Sequence, residues 1–305
     1  MRTHIKRNLK LLLLGLLFSS PWIATFFIFQ VYPIVKAFYY SLTSYNLLQP
    51  PQFIGFQNYV NLFQDPKFYL SLWNTMYIAI FGLIPQLVFS LAMALLLNNE
   101  VKGRALYRTI YFLPTIVPIV ASSLLWMWLL NPEHGLIDQV LGALHLGQPA
   151  WLVDPMWTKP SLILMGFWGT GTNTVMYLAS LQDVPQTYYE SARIDGAGPW
   201  KRFWNVTLPA ISPMTLFLLI MGLISSFQTF SQAYIFSNGG AGGQNIGGPN
   251  NSLLFYAVYL FQQAFSFLQM GYAAAMGWVL FIIVVILTVI IFLTAARWVY
   301  YGGEK

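Results

Sequence analysis

The sequence contains no cysteine and very little charge, and both absences exclude whole classes of protein. Without cysteine, disulfide bonds, thiolate metal sites and cysteine nucleophiles are impossible. Only 8% of the 305 residues are Asp, Glu, Lys or Arg, whereas an ordinary soluble chain has about 25%. Hydrophobic residues make up 57% of the chain, so intrinsic disorder is excluded as well. These figures indicate a membrane protein.

Several catalytic signatures are also missing. No Gly-x-Ser-x-Gly elbow occurs, so an α/β-hydrolase triad has no support. No Gly-Lys dipeptide occurs, which excludes a P-loop. We therefore expect a non-enzymatic chain that binds no cofactor, with any ATP and Mg²⁺ held by a separate ATPase subunit.

Six uncharged stretches are each long enough to cross the hydrocarbon core, which takes about 20 apolar residues per helix. Residues 11–31 resemble the apolar part of a signal peptide, but their length favours an uncleaved first span. The sequence thus predicts an all-α protein with one membrane domain, residues 1–305, and these spans: 11–31, 75–97, 109–130, 161–181, 214–236 and 272–296.

The basic residues predict the orientation of these spans. Twelve of the 15 Lys and Arg residues fall on one side of the six-span arrangement, together with both termini. Because positive loops stay in the cytoplasm, both termini are predicted to be cytoplasmic. This distribution accounts for the formal net charge of +6, and nucleic-acid binding is not needed to explain it.

The predicted external loops are residues 32–74, 131–160 and 237–271, and the first two have room for short interfacial helices. The third begins with a Gly/Asn-rich run, residues 238–251, which we expect to form no regular element. That run is either a flexible linker or a contact for an external partner. A metal site in the middle loop is conceivable, but solvated side chains are the preferred interpretation of Glu133, His134, Asp138, His145 and Asp154.

The predicted spans contain no acidic residue or histidine, which argues against proton coupling. Neutral polar groups concentrate in the fourth and fifth spans, and helical spacing would place Ser225, Gln228, Thr229 and Gln232 on one face. Such a face indicates either hydrogen bonding between helices or a pathway for an uncharged, hydroxyl-rich solute. The candidate pathway residues are Trp168, Thr172, Asn173, Tyr177, Ser225, Ser226, Gln228, Thr229 and Gln232. Pro114 and Pro118 predict a kink in the third span.

The predicted cytoplasmic loop at residues 183–213 has strong local signals. Thr187 and Glu190 have the spacing of a capping box, which predicts a helix that starts at Thr187. Gly196 and Gly198 should end that helix, and Pro199 suits the first turn of a second helix. The second helix would place Trp200, Phe203 and Trp204 on one face and Lys201 and Arg202 on the other.

This loop resembles the EAA motif of ABC importer permeases. The residues that carry the resemblance are Glu190-Ser191-Ala192-x-x-Asp195-Gly196-Ala197, Gly198, Trp200, Phe203 and Val206-x-Leu208-Pro209. Ser191 and Val206 depart from the usual Ala and Ile. The rest of the chain is similar to carbohydrate-type permeases at Phe53-Ile-Gly-Phe-Gln-Asn58-Tyr59, Asn74-Thr75, Phe112-Leu-Pro114, Trp151-Leu-Val-Asp-Pro155, Asn238-Gly-Gly and Gly271-Tyr-Ala-Ala-Ala275.

The resemblance implies a six-helix type I (MetI-like) permease subunit in a bacterial or archaeal cytoplasmic membrane. It implies four partners beside membrane lipid: a second permease, two ATP-binding subunits and an extracytoplasmic solute-binding protein. It also implies that the EAA loop contacts an ATPase, with Glu190 expected both to cap its helix and to make a polar contact. The implied cargo is a sugar, oligosaccharide or polyol. The alternatives are glycerol 3-phosphate or another small solute transported by the same family, or transport without ATP by a secondary transporter.

Overall fold

The computed structural model describes residues 2–99, 102–240 and 246–301, and the chain is helical along most of that length. Two short strands, β1 (Thr43–Ser44) and β2 (Gln52–Phe53), form an antiparallel hairpin. The α-helices are α1 (Arg2–Phe26), α2 (Tyr32–Ser41), α3 (Gln57–Gln64), α4 (Pro66–Phe81), α5 (Leu83–Asn98), α6 (Arg104–Phe112), α7 (Ile119–Leu129), α8 (Leu136–Ala143), α9 (Pro155–Trp168), α10 (Gly171–Gln182), α11 (Gln186–Ile194), α12 (Pro199–Arg202), α13 (Leu208–Ala210), α14 (Ser212–Phe227), α15 (Ser231–Gly240), α16 (Tyr256–Phe261) and α17 (Met270–Ala295).

Shorter helical segments join several of these helices. Single π-helical turns occur at Phe27–Val31, Phe203–Thr207 and Gln262–Ser266, and 3₁₀ turns occur at Leu113–Ile116 and Pro249–Asn251. The last of these turns lies inside the Gly/Asn-rich run, and α15 also extends into it. The prediction that the run forms no regular element is therefore wrong at both ends, and residues 241–245 lie outside the described part.

Within the described residues, four helical segments are long and apolar enough to cross a membrane: Leu14–Ser41, Pro66–Asn98, Ser212–Ser237 and Met270–Ala295. A fifth span results if Arg104–Ile116 and Ile119–Leu129 count as one, although they meet at a 97° bend. The predicted fourth span is divided instead between α9 and α10, because the chain leaves helical geometry at Gly169 and Thr170. The total of six spans stays a prediction.

The surface of these segments is strongly apolar. No residue from Leu14 to Tyr40 is buried, and Trp22 and Phe29 are each 70% exposed. Soluble monomers rarely expose apolar patches larger than a few hundred Å². Lipid is the solvent that such a helix requires.

One of two compact units consists of Met1–Gln64 and Gln263–Val279. Its hairpin is held by Asn58, whose side-chain amide donates to the carbonyls of Ser41 (2.8 Å) and Thr43 (2.9 Å). Gly271 lies against the same strand, where a Cβ atom would stand 2.0 Å from the Thr43 carbonyl oxygen. Only glycine permits this close backbone approach.

The second unit consists of Asp65–Gln262 and Leu280–Lys305. Helices α5, α10 and α14 surround its main apolar core, whose buried members are Leu83, Leu87, Ala94, Tyr177, Leu178, Leu181, Val184, Ile211 and Leu218. The segment before α16 is tied to α4 by hydrogen bonds that span about 180 positions of the sequence. Asn74 donates to the carbonyls of Asn251 and Leu254, and Thr75 accepts the amide hydrogen of Tyr256 at 2.9 Å.

Candidate functional site: a protruding loop and an uncharged cavity

The EAA-like loop begins with α11, which starts at Gln186. Pro185 takes the N-cap position, and no side chain caps the helix. The capping-box prediction is therefore wrong for both of its members. Thr187 lies inside the helix, where its backbone carbonyl accepts a hydrogen bond from the Ser191 hydroxyl at 2.8 Å, and Glu190 lies on the exposed surface of the helix. Proline disfavours helical geometry at the residue before it, Val184, and Pro185 is itself extended at ψ 131°, so the helix begins directly after Pro185.

Glycine ends this helix as predicted. Asp195 is the C-cap, and Gly196 has a φ of +73°, in the left-handed region. The amide of Gly196 donates to the Arg193 carbonyl at 3.0 Å, and the amide of Ala197 donates to the Ala192 carbonyl at 2.9 Å. These bonds satisfy carbonyls that the end of a helix otherwise leaves free.

The second short helix, α12, begins at Pro199 as the sequence predicts. Trp200, Phe203 and Trp204 contact one another, with ring centroids 5.5–6.0 Å apart. Trp200 is 72% exposed, so the aromatic cluster offers an apolar surface next to the exposed Lys201. This composition is typical of a segment that lies at a membrane interface.

The loop leaves its candidate coupling residues accessible. Glu190, Ser191, Asp195, Gly196 and Gly198 are exposed, and the two alanines of the motif, Ala192 and Ala197, are half-buried. A groove of about 490 Å³ runs beside α11, between Ser191, Ala192 and Asp195 on one side and Asn205 and Tyr300 on the other. Tyr188 also lines the α11 side, so it is at the small side chains of Ser191 and Ala192 that another surface can approach the helix closely.

A separate cavity of about 580 Å³ lies among α5, α9, α10 and α14, with Pro114, Val117 and Ile119 from the bent third span also in its wall. This bend confirms the predicted kink, because Leu113–Ile116 tightens into a 3₁₀ turn and Pro118 is the N-cap of α7. The wall contains no Asp, Glu, Lys, Arg or His. Its polar side chains are Gln86, Thr115, Ser122, Thr172, Asn173, Ser225, Ser226, Thr229 and Gln232.

Seven of the nine predicted pathway residues line this cavity: Trp168, Thr172, Asn173, Ser225, Ser226, Thr229 and Gln232. Tyr177 does not, because it points into the apolar core and is 1% exposed. Gln228 does not either. Helix α14 ends at Phe227, so the single helical face expected for Ser225 to Gln232 does not exist. Gln228 is exposed at the break, whereas Thr229 and Gln232 return to the wall.

Gln86 is a wall residue that the pattern of polar residues did not indicate. It is the only amide side chain in the predicted second span, residues 75–97. Burying a lone amide in hydrocarbon costs free energy, so an isolated Gln in an apolar span indicates a polar environment around it. Thr115 and Ser122 were missed as well, because they join the wall only through the 97° bend.

Two acidic residues of the middle predicted external loop, Asp138 and Asp154, make structural hydrogen bonds. Asp138 is buried and accepts a hydrogen bond from the Trp151 indole at 2.8 Å, so its interpretation as a solvated side chain is wrong. Asp154 caps α9 by accepting the Met156 amide at 2.9 Å. Glu133 and His134 are highly exposed, and the described residues contain no cluster of three or more metal-ligating side chains.

Comparison with known proteins yields consistent relatives. The chain is 39% identical over 296 residues to a probable ABC transporter permease, YesP of Bacillus subtilis, covering 96% of this chain and 94% of the relative. It is 34% identical over 287 residues to the lactose transport system permease LacF of Rhizobium radiobacter, covering 92% and 93%. It is 32% identical over 288 residues to the sn-glycerol-3-phosphate permease UgpA of Shigella flexneri, covering 90% and 92%.

A chain of a bacterial ABC transporter that imports alginate has the same fold, with a TM-score of 0.81 at 24% identity over 97% of this chain and 99% of that one. The family model for binding-protein-dependent transport system inner membrane components matches residues 86–300, which include the loop and all of the cavity wall except Ile78 and Leu83. The chain therefore belongs to this family of ABC importer permeases, and it is a multi-pass membrane transport subunit rather than an enzyme.

Proposed function

We propose that this permease imports a neutral sugar, oligosaccharide or polyol through the cavity beside α5, α10 and α14. The observation that carries the proposal is the cavity wall, which is polar but contains no charged side chain. Amide and hydroxyl groups both donate and accept hydrogen bonds, as sugar hydroxyls do. A solute of this kind loses its water favourably only where such partners replace it.

The second candidate cargo is sn-glycerol 3-phosphate, and a specific observation favours it: UgpA carries that name and is 32% identical. A phosphate in a low-dielectric cavity requires a cation or several aligned donors. This chain contributes no cation to its cavity wall, so a partner would have to supply it. Lactose, for which the relative LacF is named, is uncharged and so matches the uncharged cavity wall.

The loop at residues 183–213 is the proposed coupling element. In this proposal Glu190, Ser191, Ala192, Asp195, Gly196, Ala197 and Gly198 contact an ATPase subunit, which holds ATP and Mg²⁺. The accessible side chains and the groove beside α11 support this role. Docking transmits work only if its free energy differs between the two states of the transporter.

The proposed assembly contains this chain, a second permease, two ATPase subunits and an external binding protein. All reside in or at the cytoplasmic membrane of a bacterium or archaeon, with six spans and both termini of this chain in the cytoplasm. The distribution of basic residues supports this orientation.

Uptake by the reconstituted assembly tests the proposal. Proteoliposomes containing all subunits would be given labelled lactose, an arabinose trisaccharide or sn-glycerol 3-phosphate, with and without ATP and binding protein. We expect uptake of a neutral sugar that requires both. Uptake of glycerol 3-phosphate alone would overturn the neutral cargo, and uptake without ATP would indicate a secondary transporter.

A further inference from the structure

The side chain of Gln86 lies directly against Gly166 in the cavity wall. A Cβ atom on Gly166 would stand 2.0 Å from the Gln86 Nε2 atom and 2.9 Å from its Cδ atom. Both distances are far inside van der Waals contact. The Gln86 amide therefore occupies the space that a side chain at position 166 would fill, and any larger residue there must displace it.

The Gln86 side chain is half-buried, and within the described part of the chain it makes no hydrogen bond. The same is true of Asn173 and Gln232, which line the same cavity. Because these amides are only partly buried, water satisfies them when no solute is bound. Three amides in one wall thus supply hydrogen-bonding capacity that a bound molecule, or water before it, can use.

Two of the neighbouring hydroxyl groups are already committed as donors. Ser226 donates to the Gly222 carbonyl at 2.8 Å, and Thr115 donates to the Phe112 carbonyl at 2.7 Å. Each has already used its single hydrogen within its own helix, so it can only accept a further bond. The NH₂ groups of the three amides carry spare hydrogens, as do the hydroxyl groups of Ser122, Thr172 and Ser225, for which the described residues show no acceptor. The amide oxygens accept hydroxyl hydrogens in return.

We propose that Gln86 is a specificity-determining residue that hydrogen-bonds a hydroxyl of a neutral sugar in the cavity, and that Gly166 is the positioning residue that keeps it there. This inference rests on the proposed function and deepens it by assigning sugar recognition to this chain. Gln86 lies on α5 and Gly166 on α9, so the pair couples the shape of the site to the packing of two helices.

Three variants in the reconstituted transporter test the pair. Gln86→Leu keeps the bulk of the side chain and removes its hydrogen bonds, and Gly166→Ala forces the amide to move. Gly15→Ala is the matched control, since nothing lies within 4 Å of a Cβ atom there. The readout is lactose or arabinose trisaccharide imported per ATP hydrolysed, measured with saturating sugar-loaded binding protein. Saturation is needed because, at lower sugar concentrations, the affinity of the binding protein and not that of the cavity would determine the uptake rate.

We expect Gln86→Leu and Gly166→Ala each to lower sugar import per ATP by about fivefold or more, the loss of roughly one hydrogen bond. Gln86→Asn, which keeps the amide, should fall between wild type and Gln86→Leu. Gly15→Ala should match wild type. If Gln86→Leu imports the sugar as well as wild type does, the inference fails while the proposed function stands. If wild type imports neither sugar but takes up sn-glycerol 3-phosphate in the same assay, the proposed function itself fails.

A labelling experiment covers the case in which Gly166→Ala does not assemble. The chain has no cysteine, so Gln86→Cys introduces a single reactive thiol. A water-soluble methanethiosulfonate reagent should modify it, and the imported sugar should slow that modification. Val88→Cys is the control, because position 88 lies on the opposite side of α5. Modification at position 86 that is equally fast with and without the imported sugar would overturn the inference.

Discussion

The hydroxyl groups of Tyr189 and Thr207 are hydrogen-bonded at 3.1 Å, and this bond joins the two halves of the EAA-like loop. Tyr189 lies on α11, and Thr207 ends the π-helical turn that leads into α13 and α14. The Tyr189 ring also packs against the core formed by α5 and α10. A displacement of α11 therefore reaches the cavity-lining helix through both a polar and an apolar contact.

Removing either hydroxyl should weaken this connection. We expect Tyr189→Phe and Thr207→Val each to lower the free energy of unfolding by about 1 kcal/mol, the usual contribution of such a hydrogen bond. Each should also lower ATP-driven uptake more than it lowers ATP hydrolysis. The double variant should be no worse than Thr207→Val, which removes the bond to Tyr189 and also the 3.5 Å bond from Thr207 to the Arg202 carbonyl. Fully additive losses in the ratio of uptake to hydrolysis would show that the bond does not couple the two segments.

Gly196 and Gly198 provide a matched pair in the same loop. A Cβ atom at either position would have no neighbouring atom within 4 Å, but Gly196 has a φ of +73° and Gly198 a φ of −66°. A left-handed conformation costs a non-glycine residue about 1–2 kcal/mol. Gly196→Val should therefore disturb the end of α11 and reduce ATP-driven uptake, whereas Gly198→Val should retain far more of it.

The measurement is uptake by proteoliposomes, together with retention of the ATPase subunits on the purified permease. Membrane insertion of both variants should be normal, since the loop lies outside the apolar spans. Equal uptake by the two variants would show that the left-handed backbone at position 196 is not the reason for a glycine there.

Local signals predicted the features that depend on few neighbours in the sequence. Gly196 ends α11, and Pro118 begins a new helix after a bend, because glycine and proline restrict the backbone in any context. The capping box failed even though its residues have the right spacing. Pro185 lies two positions upstream of Thr187, and the helix begins directly after that proline.

The cavity depends on tertiary packing, which the sequence pattern does not contain. Tyr177 and Asn173 are four residues apart on α10, yet one fills the apolar core and the other lines the cavity. Gln86 belongs to the site because Gly166, on another helix, makes room for its amide. Periodicity can identify a polar face, but it does not show which helices meet that face.

The link between α4 and the segment before α16 should be important for stability. Thr75 accepts the buried amide hydrogen of Tyr256, and its own hydroxyl hydrogen goes to the Ser71 carbonyl. Thr75→Val would remove this acceptor from the buried amide, at a cost of about 1–3 kcal/mol. Thr288→Val is the control, because the Thr288 hydroxyl donates only to its own helix at Val284.

Thermal unfolding in detergent would measure the difference. We expect a clearly lower midpoint for Thr75→Val, a smaller change for Thr75→Ser, which keeps the acceptor, and little change for Thr288→Val. Comparable midpoints for Thr75→Val and Thr288→Val would mean that the Tyr256 amide finds another partner.

Lys159 gives the second unit a pH dependence of defined sign. Burial lowers the pKa of Lys159 below 10.5, while its ammonium lies 5.0 Å from the centre of the Tyr77 ring, which favours the charged form. A lysine pKa that is lower in the folded protein than in the unfolded chain destabilises the fold at neutral pH. That penalty disappears as the pH rises through the lowered pKa toward 10.5.

Wild type should therefore gain stability relative to Lys159→Met over the alkaline range just below 10.5. Unfolding midpoints of both proteins from pH 7 to 10.5 would test this, with the exposed Lys67→Met as the control. A constant difference between wild type and Lys159→Met, or one that moves in the opposite direction, would show that the Tyr77 ring outweighs burial.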